Sequence, residues 1–96
     1  MNSKLARTYI ISGRVQGVGF RWFVEHEARR IGVIGTVRNL EDGRVEAIAG
    51  GTEEQLAALK AKLQQGPRAA RVDEVEERQA DRDLSQYKDF SIEGAW

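Results

Sequence analysis

The residues best placed to do chemistry are a run of glycines with an arginine behind it, Gly13-Arg14-Val15-Gln16-Gly17-Val18-Gly19-Phe20-Arg21. Glycines at positions 13, 17 and 19 let successive backbone N–H groups converge on one point, and such a nest accepts an anion. Arg21 adds a planar fork that grips two oxygens of a phosphoryl group and stays charged at any working pH. The run is not a Walker loop, because no Gly-Lys-Ser/Thr follows it. It is not a dinucleotide fingerprint either, because the glycine spacing is wrong and no doubly wound parallel unit follows. A second candidate is Asn39, which alternates in step with Val37 and so shares its side of a strand, where a carboxamide needs a partner. It offers an acceptor and a donor to a water molecule, but it is not a strong base.

The elements that must position these groups follow from pattern. Leu5 to Ser12 is rich in β-branched and aromatic residues and stops at Gly13, as a strand feeding the loop does. Phe20, Phe23, Val24, Ala28 and Ile31 fall at helical spacing, and Gly32 closes that helix. Gly35 to Leu40 and Arg44 to Ala49 flank Glu41-Asp42-Gly43, where Asp-Gly is expected to supply the positive φ angles of a tight hairpin. Thr52-Glu53-Glu54-Gln55 is a capping box opening a second helix on Leu56, Leu59 and Leu63, which ends at Gly66-Pro67. Arg71 to Glu77 and Lys88 to Glu93 are the last strands. The order predicts an α+β, ferredoxin-like sandwich: βαββαβ with an extra C-terminal strand, and two helices on one face of a mostly antiparallel sheet.

The second helix carries its own cap in Thr52, whereas the first begins after Gly17-Val18-Gly19 with no Ser, Thr, Asp or Asn to accept its leading amides. An external anion fits that vacancy, and the partial positive charge of the helix terminus favours it. The residues alone leave two readings open for the loop: an anion cradle, or a tight connection with a solvated first-turn arginine. They leave two for Asn39 as well: a water holder, or a hairpin-end residue bonded to its own turn.

Composition bounds the rest. The 96 residues suit one compact domain, 1–96. Fifteen Lys and Arg balance fifteen Asp and Glu, so no overall field holds a polyanion, and no nucleic-acid partner is expected. Cysteine is absent and histidine occurs once, which excludes thiolate catalysis and Cys-based zinc sites; no metal or cofactor is expected. Met1 to Arg7 lacks the apolar core of a signal peptide and no apolar run is long enough for a bilayer, so a cytoplasmic protein without a membrane partner is expected. His26, between Glu25 and Glu27 and off the apolar stripe, reads as solvated. Arg14 and Arg38 read either as steering an anion or as solvated, Tyr9, Phe20, Phe23 and Phe90 read as core, and Trp96 carries no reading.

The glycine run closely resembles the signature of the acylphosphatase family. A second family block is similar to Gly35-Thr36-Val37-Arg38-Asn39 followed by Asp42-Gly43-x-Val45 and Gly50, and the likeness continues through Gly66-Pro67, Ala70, Val72 and Val75 to Phe90-x-Ile92. The resemblance implies hydrolysis of acyl phosphates, which are small-molecule substrates, to carboxylate and inorganic phosphate without a covalent intermediate. It implies that Arg21 and the amides of Val15, Gln16, Gly17, Val18, Gly19 and Phe20 bind the phosphoryl oxygens, and that Asn39 holds the attacking water. A monomer is the expected state. The chain departs from the family at Thr36, where an aromatic residue is common; the smaller side chain is expected to leave surface for another group to cover, with Trp22 a candidate. Two further readings remain beside the enzyme: a non-catalytic anion-binding module on the same fold, and a ferredoxin-like RNA binder, which requires aromatic residues on the open sheet face.

Overall fold

Alternation of Tyr9 and Ile11 with Thr8 and Ile10 gives the first strand one face for a core and one for the other side of the sheet, and the rest of the chain is built on that division. The computed structural model describes residues 5–80 and 83–94, so Trp96 lies outside the described residues. Its elements are β1 (Leu5–Arg14), α1 (Phe20–Ile31), β2 (Ile34–Asn39), β3 (Val45–Gly51), α2 (Glu53–Gln65), β4 (Arg71–Gln79) and β5 (Phe90–Ile92). The strands form one sheet in the order β4-β1-β3-β2-β5. Every neighbouring pair is antiparallel except β2 with β5, which is parallel. This is the α+β, ferredoxin-like order with its extra C-terminal strand.

Strand bounds shift by one or two residues at β2, β3 and β4, and three further features differ from the sequence reading. β1 runs on through Gly13 and Arg14 because a bulge after Ser12 keeps them paired with Val72 and Arg71 of β4. β5 is held to Phe90–Ile92, the residues that pair with Gly35, Thr36 and Val37 of β2. At the β2–β3 turn only Gly43 has positive φ, at 96°, and Asp42 does not. The connection is longer than a two-residue hairpin: the Leu40 amide donates to the Arg44 carbonyl at 2.8 Å, and the Asp42 carboxylate accepts from the Arg44 amide at 3.1 Å. One left-handed residue then suffices.

The helices cover one face of the sheet. Tyr9, Ile11, Val37, Val45, Ala47, Ala49 and Phe90 meet Phe20, Val24 and Ala28 of α1 and Leu56, Leu59 and Leu63 of α2, all of them buried. Each large apolar side chain buried this way contributes roughly 1.5–3 kcal/mol. Tyr9 is fully buried, and its hydroxyl donates to the Leu56 carbonyl at 3.3 Å. Burial, aided by the Glu77 carboxylate and opposed by Arg7, pushes its pKa from 10.0 up to about 12. A raised phenol pKa means that Tyr9 contributes stability fully below pH 10.0, lost as pH rises towards about 12. Urea unfolding between these pH values should show wild-type stability falling by up to about 1.4 kcal/mol per pH unit more steeply than in Tyr9→Phe. Parallel slopes in the two proteins would rule this out.

The opposite face carries Thr8, Ile10, Glu46, Ile48, Thr36, Arg38 and Ser91 by the same register. None of its strand residues is aromatic, so the stacking platform of an RNA binder is absent among the described residues. Leu84 lies over Gly50 on this face and is 7% exposed. Thr36 is 2% exposed, and its hydroxyl has no hydrogen-bond partner among the described residues. It is therefore covered, but not by Trp22, which belongs to α1 across the sheet and is 73% exposed. Leaving a buried hydroxyl unsatisfied costs about 1–3 kcal/mol. Thr36→Val keeps the β-branched shape without that group and should raise stability by about 1 kcal/mol in chemical denaturation. A lower midpoint would show that the hydroxyl is satisfied after all.

Candidate active site

The loop between β1 and α1 is anchored at both ends and open in the middle. Val15 and Phe20 are 1% and 2% exposed, their side chains driven into the core, and the Phe20 ring packs beside Phe23 with centroids 6.2 Å apart. Between them Gly17 and Gly19 take left-handed φ angles of 73° and 76°. A Cβ on Gly19 would meet nothing within 4 Å, so the demand for glycine here is conformational rather than steric.

Gly19 is the N-cap of α1, and no side chain caps it. The first helical bond runs from the Phe23 amide to the Gly19 carbonyl at 3.1 Å. Among the described residues, no backbone amide from Val15 to Trp22 donates to another backbone carbonyl outside regular strand pairing. α2 shows the contrast. There the Gln55 amide donates to Thr52 Oγ1 at 3.1 Å and the Thr52 amide to Gln55 Oε1 at 2.9 Å. The capless start of α1 thus leaves its donors and its positive terminus free for an external anion.

Beside this loop lies a cavity of about 150 Å³ lined by Val15, Gly17, Gly19, Phe20, Arg21, Trp22 and Asn39. Most of the residues singled out in the sequence meet there; Gln16 and Val18 are not in the lining. Val18 packs against the core edge. The Gln16 carboxamide donates to the Leu40 carbonyl at 2.8 Å and the Arg44 carbonyl at 2.9 Å, tying the loop to the hairpin that presents Asn39. Asn39 pairs with Val45, which pairs with Ile11, so it stands at the end of β2 on the helix-covered side. Its carboxamide makes no hydrogen bond to the described residues, and the turn bonds belong to Asp42 instead.

Arg21 forms no ion pair among the described residues, whereas Arg7, Arg29, Arg30, Arg38, Arg44, Arg71 and Arg78 each meet a carboxylate. Arg38 points to the other face and is bound to Glu46 at 2.8 Å, which holds its guanidinium above the usual range; it adds nothing to the cavity. Arg14 is exposed and outside the lining, and His26 is exposed on α1. Trp22 is the lining residue that sequence reasoning did not place at the site; a tryptophan on the polar side of α1, next to Arg21, was the signal. A larger cavity of about 530 Å³, lined in part by Ile34, Gly50, Leu84 and Tyr87, lies where β1 and β2 begin. It is at the far end of the sheet from the β1–α1 loop.

Such an arrangement can hold a tetrahedral oxyanion by backbone amides and one guanidinium, with a carboxamide beside it and no carboxylate in the lining to repel it. Fold and cavity together define a small α+β protein whose strand-to-helix loop runs into an uncapped helix start beside an open cavity. The family model for acylphosphatase matches residues 7–92. An acylphosphatase from Koribacter versatilis (strain Ellin345) is 53% identical over 90 residues, 94% of this chain and 81% of that protein. One from Pasteurella multocida (strain Pm70) is 48% identical over 88 residues, 92% of this chain and 97% of that protein. The crystal structure of acylphosphatase from Bacillus subtilis superposes with a TM-score of 0.87 at 38% identity, over 94% of this chain and 99% of that one. The chain belongs to the acylphosphatase family.

Proposed function

We propose a division of labour for the acyl-phosphate hydrolysis that this chain carries out: the amides from Val15 to Phe20 and the Arg21 guanidinium hold the phosphoryl oxygens, and Asn39 orients the attacking water. The observation that carries this reading is the cavity in which the capless start of α1 meets Arg21 and Asn39, both without a side-chain partner among the described residues. The water oxygen attacks phosphorus, the bond from phosphorus to the bridging oxygen breaks, and the carboxylate leaves as an anion. One water proton passes to a phosphoryl oxygen, giving inorganic phosphate with no covalent enzyme intermediate. A carboxylate is a good leaving group and needs no strong acid from the protein, so positioning and charge stabilisation supply the catalysis. The absence of Asp, Glu and His from the lining agrees with that demand.

We place the activity in the cytoplasm, in a monomer with residues 1–96 working as one unit. No helix among the described residues is long and apolar enough to cross a membrane. The chemistry is tested by a single turnover of acetyl phosphate in H₂¹⁸O. The label should appear in inorganic phosphate and not in acetate. Label in acetate would put the attack at the carbonyl carbon and leave Asn39 without its role.

A further inference from the structure

With the loop amides and Arg21 on the phosphoryl oxygens in a cavity of about 150 Å³, the acyl carbons extend from the bridging oxygen away from those donors. Few groups stand at the mouth to receive them. Gly17 and Gly19 have no side chains, and those of Val15 and Phe20 are turned into the core. Trp22 is different: it lines the cavity and is also the large apolar side chain left most exposed, at 73%, among the described residues. Folding does not use it, because α1 buries Phe20, Val24 and Ala28 instead. An indole beside a phosphate site and free of other duties offers a rigid apolar face at low entropic cost.

We propose that Trp22 is the contact surface for the acyl group, and that this chain thereby favours acyl phosphates with an aromatic or extended apolar acyl group over those with a one- or two-carbon acyl group. The inference rests on the reading of the site given above, with the phosphoryl group held by the loop and Arg21. The contact is made equally in the ground and transition states, so its effect falls on KM rather than kcat.

The test is steady-state hydrolysis of benzoyl phosphate and acetyl phosphate by the wild type, Trp22→Ala and Trp22→Phe. Trp22→Ala should lower kcat/KM for benzoyl phosphate about tenfold, through KM, and change that for acetyl phosphate by less than about twofold; Trp22→Phe should retain roughly half of the wild-type value on benzoyl phosphate. Because Trp22 is exposed, its loss leaves the core untouched. An equal change on both substrates, or none on benzoyl phosphate, overturns the proposal while leaving the site assignment standing. A wild type that hydrolyses neither substrate overturns the site assignment itself, and this inference with it.

Discussion

Arg21→Ala should lower kcat for acetyl phosphate by on the order of 10³-fold or more, roughly 4 kcal/mol of transition-state stabilisation, at a folding stability within about 0.5 kcal/mol of wild type. The two halves of this result come from one observation. Arg21 has no carboxylate partner among the described residues, so removing it orphans no buried charge and breaks no ion pair of the fold. On the role proposed for Arg21, what is lost is a cation facing the place where charge spreads over the transferring phosphoryl oxygens. Inorganic phosphate should also inhibit the variant much more weakly, because product and transition state share these contacts. Arg21→Lys should fall between wild type and alanine: the charge is kept, but the two-pronged grip on two oxygens is not. Wild-type turnover in Arg21→Ala would remove the arginine from the site.

Much of this arrangement was legible in the sequence because it is local. The capping box of α2 is four consecutive residues, Thr52 to Gln55, and the missing cap of α1 is equally a matter of which residues precede Phe20. The side of β2 on which Asn39 lies follows from its step with Val37, and the same alternation sends Arg38 to the opposite face. The steering role considered for Arg38 failed to apply that rule to the residue next to Asn39. Other features depend on partners distant in sequence. The pairing of Gly13 and Arg14 needs β4, and the cover over Gly50 comes from Leu84. Gln16 was read as a backbone donor in the loop, yet its side chain spans 24 and 28 residues to hold the hairpin, and no local pattern signals such a reach. Trp22 was visible as a tryptophan on a polar face, but only the cavity gives that position a meaning. The structural features thus divide by the range of the interactions that make them, and the candidate site sits at the boundary: its donors are local, and its assembly is not.

Asn39→Ala should reduce kcat by a factor similar to that of Arg21→Ala, on the order of 10³, but by a different route. The Asn39 carboxamide bonds to none of the described residues, so the alanine variant should keep its stability, unlike one in which a satisfied core amide is lost. It should also keep the affinity of the wild type for inorganic phosphate as a competitive inhibitor, because the loop amides and Arg21 are unchanged. On the role proposed for Asn39, only the water loses its orientation. The pair of measurements therefore separates the two roles: Arg21→Ala weakens phosphate inhibition together with kcat, and Asn39→Ala lowers kcat alone. Asn39→Asp sharpens the comparison. It retains an acceptor for the water but removes the N–H donors and sets a negative charge beside the phosphoryl oxygens, so it should be no faster than alanine. An aspartate variant with substantial activity would mean that the group at position 39 takes the water's proton, and the route of that proton to a phosphoryl oxygen would have to be abandoned. Activity in alanine but not in aspartate would instead mean that the side chain only has to keep negative charge away from the phosphoryl group, with the water held by the loop amides.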